Sequence, residues 1–313
     1  MAWQATQRDL DLLATVAEYR VLTPQMLATI LGRNVRALRR RVSALMHADL
    51  LVADRRYPRF ALGRPERMLS LSVRGAELLM ELNILSPRTE PKRAMRPADA
   101  LLKHLMAMNE LRTQLSQIPR IQPELSVRFL SSTSPFLPTW AKGRPIVYDR
   151  FRDSDGRQCS LIPDGALALS HATLGKTLLF FVEIDMGTET LVSSSGHRGD
   201  LWHKVVTYQA YYACNAYKRY EKIWNSQLHR FRVLLLANSR GRAGAISRLL
   251  RDVGTTDFIL VADQAHMMTD CVWAAIWRPG GKLDQPEVSI LGSHMPVPYP
   301  NPIEAQVNAR SQG

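Results

Sequence analysis

Three carboxylates stand at the ends of apolar runs and give the chain its most suggestive chemistry. Asp164 lies in Ile162-Pro163-Asp164-Gly165, and Glu183 and Asp185 close the run Phe180-Phe181-Val182-Glu183-Ile184-Asp185. The spacing of 19 positions from Asp164 to Glu183 suffices for a strand, a turn and a second strand. Two adjacent strands can therefore carry both acids to one end of a sheet. Side chains alternate along a strand, so Glu183 and Asp185 share a face. Carboxylates so placed can hold Mg²⁺ or Mn²⁺, which polarises a phosphodiester and activates water. A lysine normally completes such a centre by stabilising charge on the phosphate or orienting the nucleophile. Asp185 occupies the position two residues beyond Glu183 where that lysine is expected. Lys204, on the next helix, can take its role, with Tyr208 and Tyr211 on the same side at i+4 and i+7.

The elements that must position these groups follow from hydrophobic period and caps. Helix is expected from about Ala98 to Gln117, and strands over Glu124–Leu130, Ser160–Leu169 and Thr177–Asp185. A helix from Asp200 to about Glu221 comes next, then a strand over Phe231–Ala237, a helix over Arg242–Val253 and a strand over Asp257–Ala262. A last strand or helix falls near Cys271–Trp277. The alternation predicts a mixed sheet flanked by helices, an α/β (α+β) domain over residues 98–278. The Pro- and Gly-rich stretch 279–313 reads as an irregular tail.

Residues 1–82 have a different pattern. Apolar residues at helical spacing run from Gln7 to Tyr19, Thr23-Pro24 caps a second helix ending at Leu31, and Asn34 caps a third. Leu50-Leu51-Val52, a basic turn and Arg67–Leu71 make a hairpin, and a helix over Val73–Leu82 closes the unit. Three helices and a hairpin describe a winged helix-turn-helix. Its third helix crowds Arg33, Arg36, Arg39, Arg40 and Arg41 beside the apolar face of Val35, Leu38, Val42, Leu45 and Met46. The arginines can meet phosphates and guanine edges, joined by Arg55, Arg56 and Arg59 of the hairpin turn. Residues 83–97, rich in Pro and charge, read as a linker.

Composition agrees with a polyanionic partner. Lys and Arg number 41 against 28 Asp and Glu, a net charge of +13, which favours double-stranded DNA. Arg8, Asp9 and Asp11 interrupt the start where a signal peptide needs an apolar core, and no run is long enough to span a bilayer. Cys159, Cys214 and Cys271 form no CxxC pair. A cytoplasmic location without membrane attachment is expected.

The order of motifs resembles a known family. PDG, the strand ending EID-GTE, and the helix HKVVTYQAYY are similar to the PD-(D/E)xK nuclease-like superfamily. Within it they resemble the replication-relaxation family of plasmid and mobile-element proteins, to which relaxases of the MobC type are similar. Lys103-His104-Leu105-Met106-Ala107-Met108-Asn109-Glu110 resembles that family's helix ahead of the sheet, and the winged helix fits as well. The resemblance implies a restriction-endonuclease-like mixed sheet, with Asp164 and Glu183 as metal ligands, Asp185 as a further acid and Lys204 as the migrated lysine. His104, Glu110 and Tyr208 would be auxiliary. His104 can equally be a histidine hydrogen-bonded within the core.

Two readings result. One is a metal-dependent nickase or endonuclease of relaxase type, using Mg²⁺ or Mn²⁺ in plasmid or mobile-element replication or transfer. The other is a non-catalytic DNA-binding regulator on a nuclease-like scaffold. Either could meet origin-associated or transfer proteins. A homodimer is allowed, since a winged helix can also pair protomers. The eight histidines contain no pair separated by one residue, which argues against nicking of the HUH type. A tyrosine nucleophile at Tyr208, Tyr211 or Tyr212 would have to act without that metal site. Gly241-Arg242-Ala243-Gly244 lacks the Lys-Ser/Thr of a P-loop, so ATP hydrolysis is not expected.

Overall fold

The computed structural model describes residues 5–57, 66–137, 139–140, 144–145, 147–192 and 200–292; of residues 55–57, 66, 139–140 and 144–145 it describes the backbone. The chain has a mixed α/β architecture in two compact units. The first comprises Met1–Gln117, Arg128–Phe151 and Gln158–Leu167, and the second Ile118–Val127, Arg152–Arg157 and Ala168–Gly313.

The first unit begins with three helices whose ends are written in the sequence. α1 spans Gln7–Tyr19, α2 Pro24–Leu31 and α3 Val35–His47. The Thr23 hydroxyl accepts the Met26 amide, with Pro24 preset for the first turn. Gly32, at φ 61°, takes the left-handed conformation that ends α2. The Asn34 side chain accepts the amides of Arg36 and Ala37 to start α3. Strands β1 (Leu51–Tyr57) and β2 (Glu66–Leu71) pair antiparallel, and Leu22 bridges to Leu69 on the free side of β2. α4 (Val73–Glu81) follows the Ser72 cap. Leu12, Leu13, Val16, Leu27, Leu38 and Leu45 meet Leu69, Leu71 and Leu79 in one core.

The segment 83–97, expected to be a linker, contributes to that core instead. It forms a 3-10 turn over Pro91–Arg93, and Leu85 and Ala94 are fully buried with the N-terminal helices. α5 (Asp99–Leu115) also belongs to this unit and adds Leu105 and Met106. Its fully buried Asn109 donates to the carbonyls of Tyr19 (2.9 Å) and Val21 (2.7 Å), satisfying backbone between α1 and α2. Arg112, one turn on, pairs with Glu18 at 2.5 Å and lies 3.9 Å over the Tyr19 ring.

A short helix α6 (Ile118–Ile121) and strand β3 (Leu125–Ser131) follow. Two small strand pairs come next: β4 (Thr139–Trp140) antiparallel with β5 (Arg144–Pro145), and β6 (Asp149–Arg152) with β7 (Gln158–Leu161). β8 is Gly165–His171 and β9 Lys176–Asp185. The single strand expected over Ser160–Leu169 is thus two, because Pro163 offers no amide to a ladder. α7 (Leu201–Ala213) ends at Cys214, Asn215 adopts φ 55°, and α8 (Arg219–Trp224) starts after a 3-10 turn. The continuous helix expected to Glu221 is broken there.

β10 (Phe231–Ala237), α9 (Arg240–Val253), β11 (Ile259–Asp263), α10 (Gln264–Asp270) and β12 (Arg278–Pro279) complete the fold. The six-stranded sheet has the order β12-β11-β10-β9-β8-β3. β9, β10 and β11 are mutually parallel and β12 is antiparallel to β11. The parallel strands are nearly continuous apolar runs because both faces are covered. α7 covers one face through Tyr208 and Tyr211 in an aromatic cluster with Phe181 and Phe231, whose ring centroids are 5.1 Å apart. Part of the expected irregular tail is packed: Trp277 bridges to Val288, and Ile290 and Leu291 are buried. Residues 293–313 lie outside the described residues.

One ion pair in the first unit sets a pH dependence. Asp9 is fully buried in the first turn of α1. Burial would raise its pKa, but hydrogen bonds from Arg41 and Thr6 outweigh it and bring the value from 3.8 to about 2. A depressed carboxylate stabilises the fold above its unfolded pKa, and that stability is lost as pH falls from 3.8 towards 2. Asp9→Asn should therefore cost about 2 kcal/mol at neutral pH. Urea titrations at pH 7 and below pH 3 should show this difference shrinking towards zero in acid.

Candidate functional site

β9 carries its two acids to the carboxyl end of the sheet, where the parallel register sets Glu183 beside Leu235 and Asp185 beside Ala237. Glu183 is 3% exposed and Asp185 8%. Carboxylates this buried require hydrogen-bonded partners, and each acid finds its own.

Glu183 is held from α7. The Tyr208 hydroxyl donates to Oε1 at 2.6 Å, and Lys204 Nζ donates to Oε2 at 3.2 Å. Asp200 caps α7 by accepting the His203 amide, which fixes the helix start one turn before Lys204. Positions 204 and 208 fall on one face, so a single helix supplies both the cation and the phenol. Lys204 also lies 3.4 Å from Glu189 Oε1, and its side chain remains about one-third exposed.

Asp185 is held from α9. Arg242 Nε donates to Oδ1 at 3.0 Å and Nη2 to Oδ2 at 2.9 Å, a bidentate fork. The Gly187 amide adds a third bond to Oδ1 at 2.6 Å. Arg242 Nη2 also donates to the Glu189 carbonyl at 2.6 Å, and the Asn238 side chain to the Met186 carbonyl at 2.6 Å. Gly187 takes φ 74°, and a Cβ there would stand 3.0 Å from Asn238 Nδ2. The turn after β9 is thus clamped from both sides. Sequence reasoning misses Arg242 and Glu189 as members of this end of the sheet. Their signal is an arginine in the first turn of the helix after the neighbouring parallel strand, and an acid four residues beyond Asp185.

Asp164 belongs to the first unit, where Oδ2 lies 3.0 Å from His104 Nε2. His104 thus has a carboxylate partner on a neighbouring segment rather than a purely apolar setting. Glu110 sits half-buried on α5 in the same unit. Among the described residues, no group of three or more His, Cys, Asp or Glu side chains is arranged to hold a metal ion.

The tyrosines considered as nucleophiles are packed among other side chains. Tyr211 is fully buried, and burial pushes its phenol well above the usual value. Tyr208 is equally enclosed and engaged with Glu183, while Tyr212 stacks on Phe258 at 5.0 Å. A cleft of about 560 Å³ in the second unit lies elsewhere, at the end of β11 among Arg240, Asp263, His266, Arg278 and Glu287.

The arginines on and just before α3 divide. Arg41 is committed to Asp9, and Arg33 lies 3.7 Å from Asp11 and donates to the Arg8 carbonyl. Arg36, Arg39 and Arg40 are exposed, opposite buried Leu38, Val42 and Leu45. The backbone of Arg55 and Arg56 lies in β1, and Arg59 falls outside the described residues. No helix among the described residues is long and apolar enough to cross a membrane.

A family model described as replication-relaxation matches residues 13–225, more than half of the chain. That span contains the acids of β9 with Lys204, and stops before Arg242. No curated protein and no solved structure matches.

The two carboxylates predict different costs. Arg242→Met strands a buried carboxylate and should destabilise by about 3–5 kcal/mol. Tyr208→Phe removes one bond to Glu183, leaves Lys204 in place, and should cost about 1–3 kcal/mol. Urea unfolding at neutral pH measures both; equal, near-zero losses would mean that the acids do not need these partners.

Proposed function

The chain belongs to the replication-relaxation family, and on that premise we propose that it binds double-stranded DNA in plasmid or mobile-element replication or transfer. The observation that carries this reading is the exposed row Arg36, Arg39 and Arg40 on a helix whose other face is core. Three capped helices followed by a hairpin, with Leu22 bridged to Leu69, have the order of a winged helix-turn-helix. In that fold the third helix enters the major groove. The net charge of +13 supplies a favourable field for a polyanion.

A second reading, metal-dependent nicking of relaxase type, is favoured by one observation: Lys204 stands 3.2 Å from Glu183, where a nuclease-like centre needs a cation. Against it stand the partners of the acids. Both oxygens of Asp185 accept from Arg242 and both of Glu183 from Tyr208 and Lys204. Mg²⁺ or Mn²⁺ would have to compete at these oxygens with the positive charges of Arg242 and Lys204, so the acids are charge-matched without a resident cation. We therefore favour the binding protein, with the sheet end as a scaffold.

Arg36→Ala combined with Arg40→Ala should weaken duplex binding. It should also reduce the slope of log affinity against log salt by about 1.8, since each phosphate no longer neutralised removes roughly 0.9. An unchanged slope and affinity would move the DNA interface away from α3. Supercoiled plasmid incubated with the protein and Mg²⁺ or Mn²⁺ should stay supercoiled; relaxed circles formed by the wild type but not by Glu183→Ala would establish the nickase.

A further inference from the structure

A cleft of about 440 Å³ in the first unit is walled by Arg20, Lys92, Arg93 and Arg96, with Ser132 and Thr133 completing the lining. Four cations around one concavity call for counter-charge, and two of them have it. Lys92 Nζ lies 2.7 Å from Glu90, and Arg96 lies 2.5 Å from Asp99 and 3.3 Å from Asp54. Among the described residues, Arg20 and Arg93 make no ion pair with a carboxylate. They donate instead to neutral carbonyls: Arg20 Nε to Met95 at 3.0 Å and Arg93 Nη2 to Ser134 at 3.2 Å.

These two guanidiniums also oppose one another. Burial lowers the pKa of Arg20, and the charge of Arg93 lowers it further. Arg20 ends α1 at φ 62° and ψ −37°, a conformation that costs a non-glycine residue energy. The fold thus holds a half-buried arginine in a strained backbone beside a like charge. An anion between the two would relieve the repulsion.

We propose that this cleft is a phosphate-binding site, formed by Arg20 and Arg93 and framed by Arg96, Lys92 and the hydroxyl residues Ser132 and Thr133. Guanidinium forks match phosphate oxygens two at a time, and two guanidiniums bonded to neutral carbonyls, with Glu90 offsetting Arg93 in part, suit a group of charge between −1 and −2. The phosphate can come from a DNA backbone or from a free phosphate or polyphosphate. The site does not depend on α3 reading DNA.

The test uses the full chain at fixed ionic strength, with inorganic phosphate and pyrophosphate as probes and chloride as the reference. Both probes should raise Tm, because a ligand binding only the folded state stabilises it by mass action. Arg93→Gln should abolish the rise, whereas Lys218→Gln, which removes an exposed cation of the second unit, should keep it. In a parallel arm, the salt slope for a short duplex should fall by about 0.9 in Arg93→Gln if the site holds a backbone phosphate. Loss of the Tm response with an unchanged slope assigns the site to a free phosphate; a reduced slope assigns it to DNA. Ser132→Glu, which puts a carboxylate into the cleft, serves as a second variant should Arg93→Gln fold poorly. No Tm response in the wild type together with an unchanged slope overturns the proposal, whether or not α3 binds DNA.

Discussion

The fork between Asp185 and Arg242 is the constraint on which the end of the parallel sheet depends. Asp185 closes β9 and is almost fully buried, so its charge must be matched in place. Arg242 matches it from the first turn of α9, reaching across from the helix that follows β10. The same guanidinium holds the Glu189 carbonyl, and Gly187 and Asn238 tie the intervening turn. The end of β9, the turn after it, the residue following β10 and the first turn of α9 thus share a single charge-matched junction. An ion pair of this kind adds little stability over apolar packing, yet it is costly to break on one side. Its effect is to fix geometry: Glu189, ordered beside it, in turn lies against Lys204.

That junction also bears on which chemistry the sheet end can support. A carboxylate pair at the end of parallel strands is the raw material of a metal centre. Here each acid has been given protein donors, a lysine and a phenol for Glu183 and a fork for Asp185. The same residue types in the same register therefore support a scaffold reading. The first unit uses its charges differently: buried Asp9 binds Arg41 and buried Arg112 binds Glu18, while Arg36, Arg39 and Arg40 are exposed. Its ion-paired arginines position elements, and its outer ones lie exposed on α3.

How far the sequence reveals this depends on the reach of each interaction. α1 to α4, the hairpin and β9 are legible because their determinants are local: Thr23-Pro24, Asn34 and Ser72 as caps, Gly32 as a stop, alternation or apolar runs for strands. The breaks at Pro163 and Asn215 are also local, but a periodicity reading runs across them. The segment 83–97 reads as a linker because Leu85 and Ala94 are isolated apolar residues, and only packing shows that they reach the core. The partner of Asp185 is invisible for a different reason. Arg242 lies 57 residues away, and nothing at that distance distinguishes it from the many surface arginines of a basic chain. Lys204 is legible as a candidate because helix geometry puts it on one face with Tyr208; its bond to Glu183 emerges only from the three-dimensional structure.

The ion-paired reading of the sheet end is tested most directly by Mn²⁺ titration of the full-length protein followed by electron paramagnetic resonance. With Glu183 and Asp185 already engaged by Lys204, Tyr208 and Arg242, the free Mn²⁺ signal should fall no more than for a Glu183→Gln variant up to millimolar metal. A stoichiometric micromolar site in the wild type that disappears in Glu183→Gln would contradict it and restore the metal-dependent nuclease.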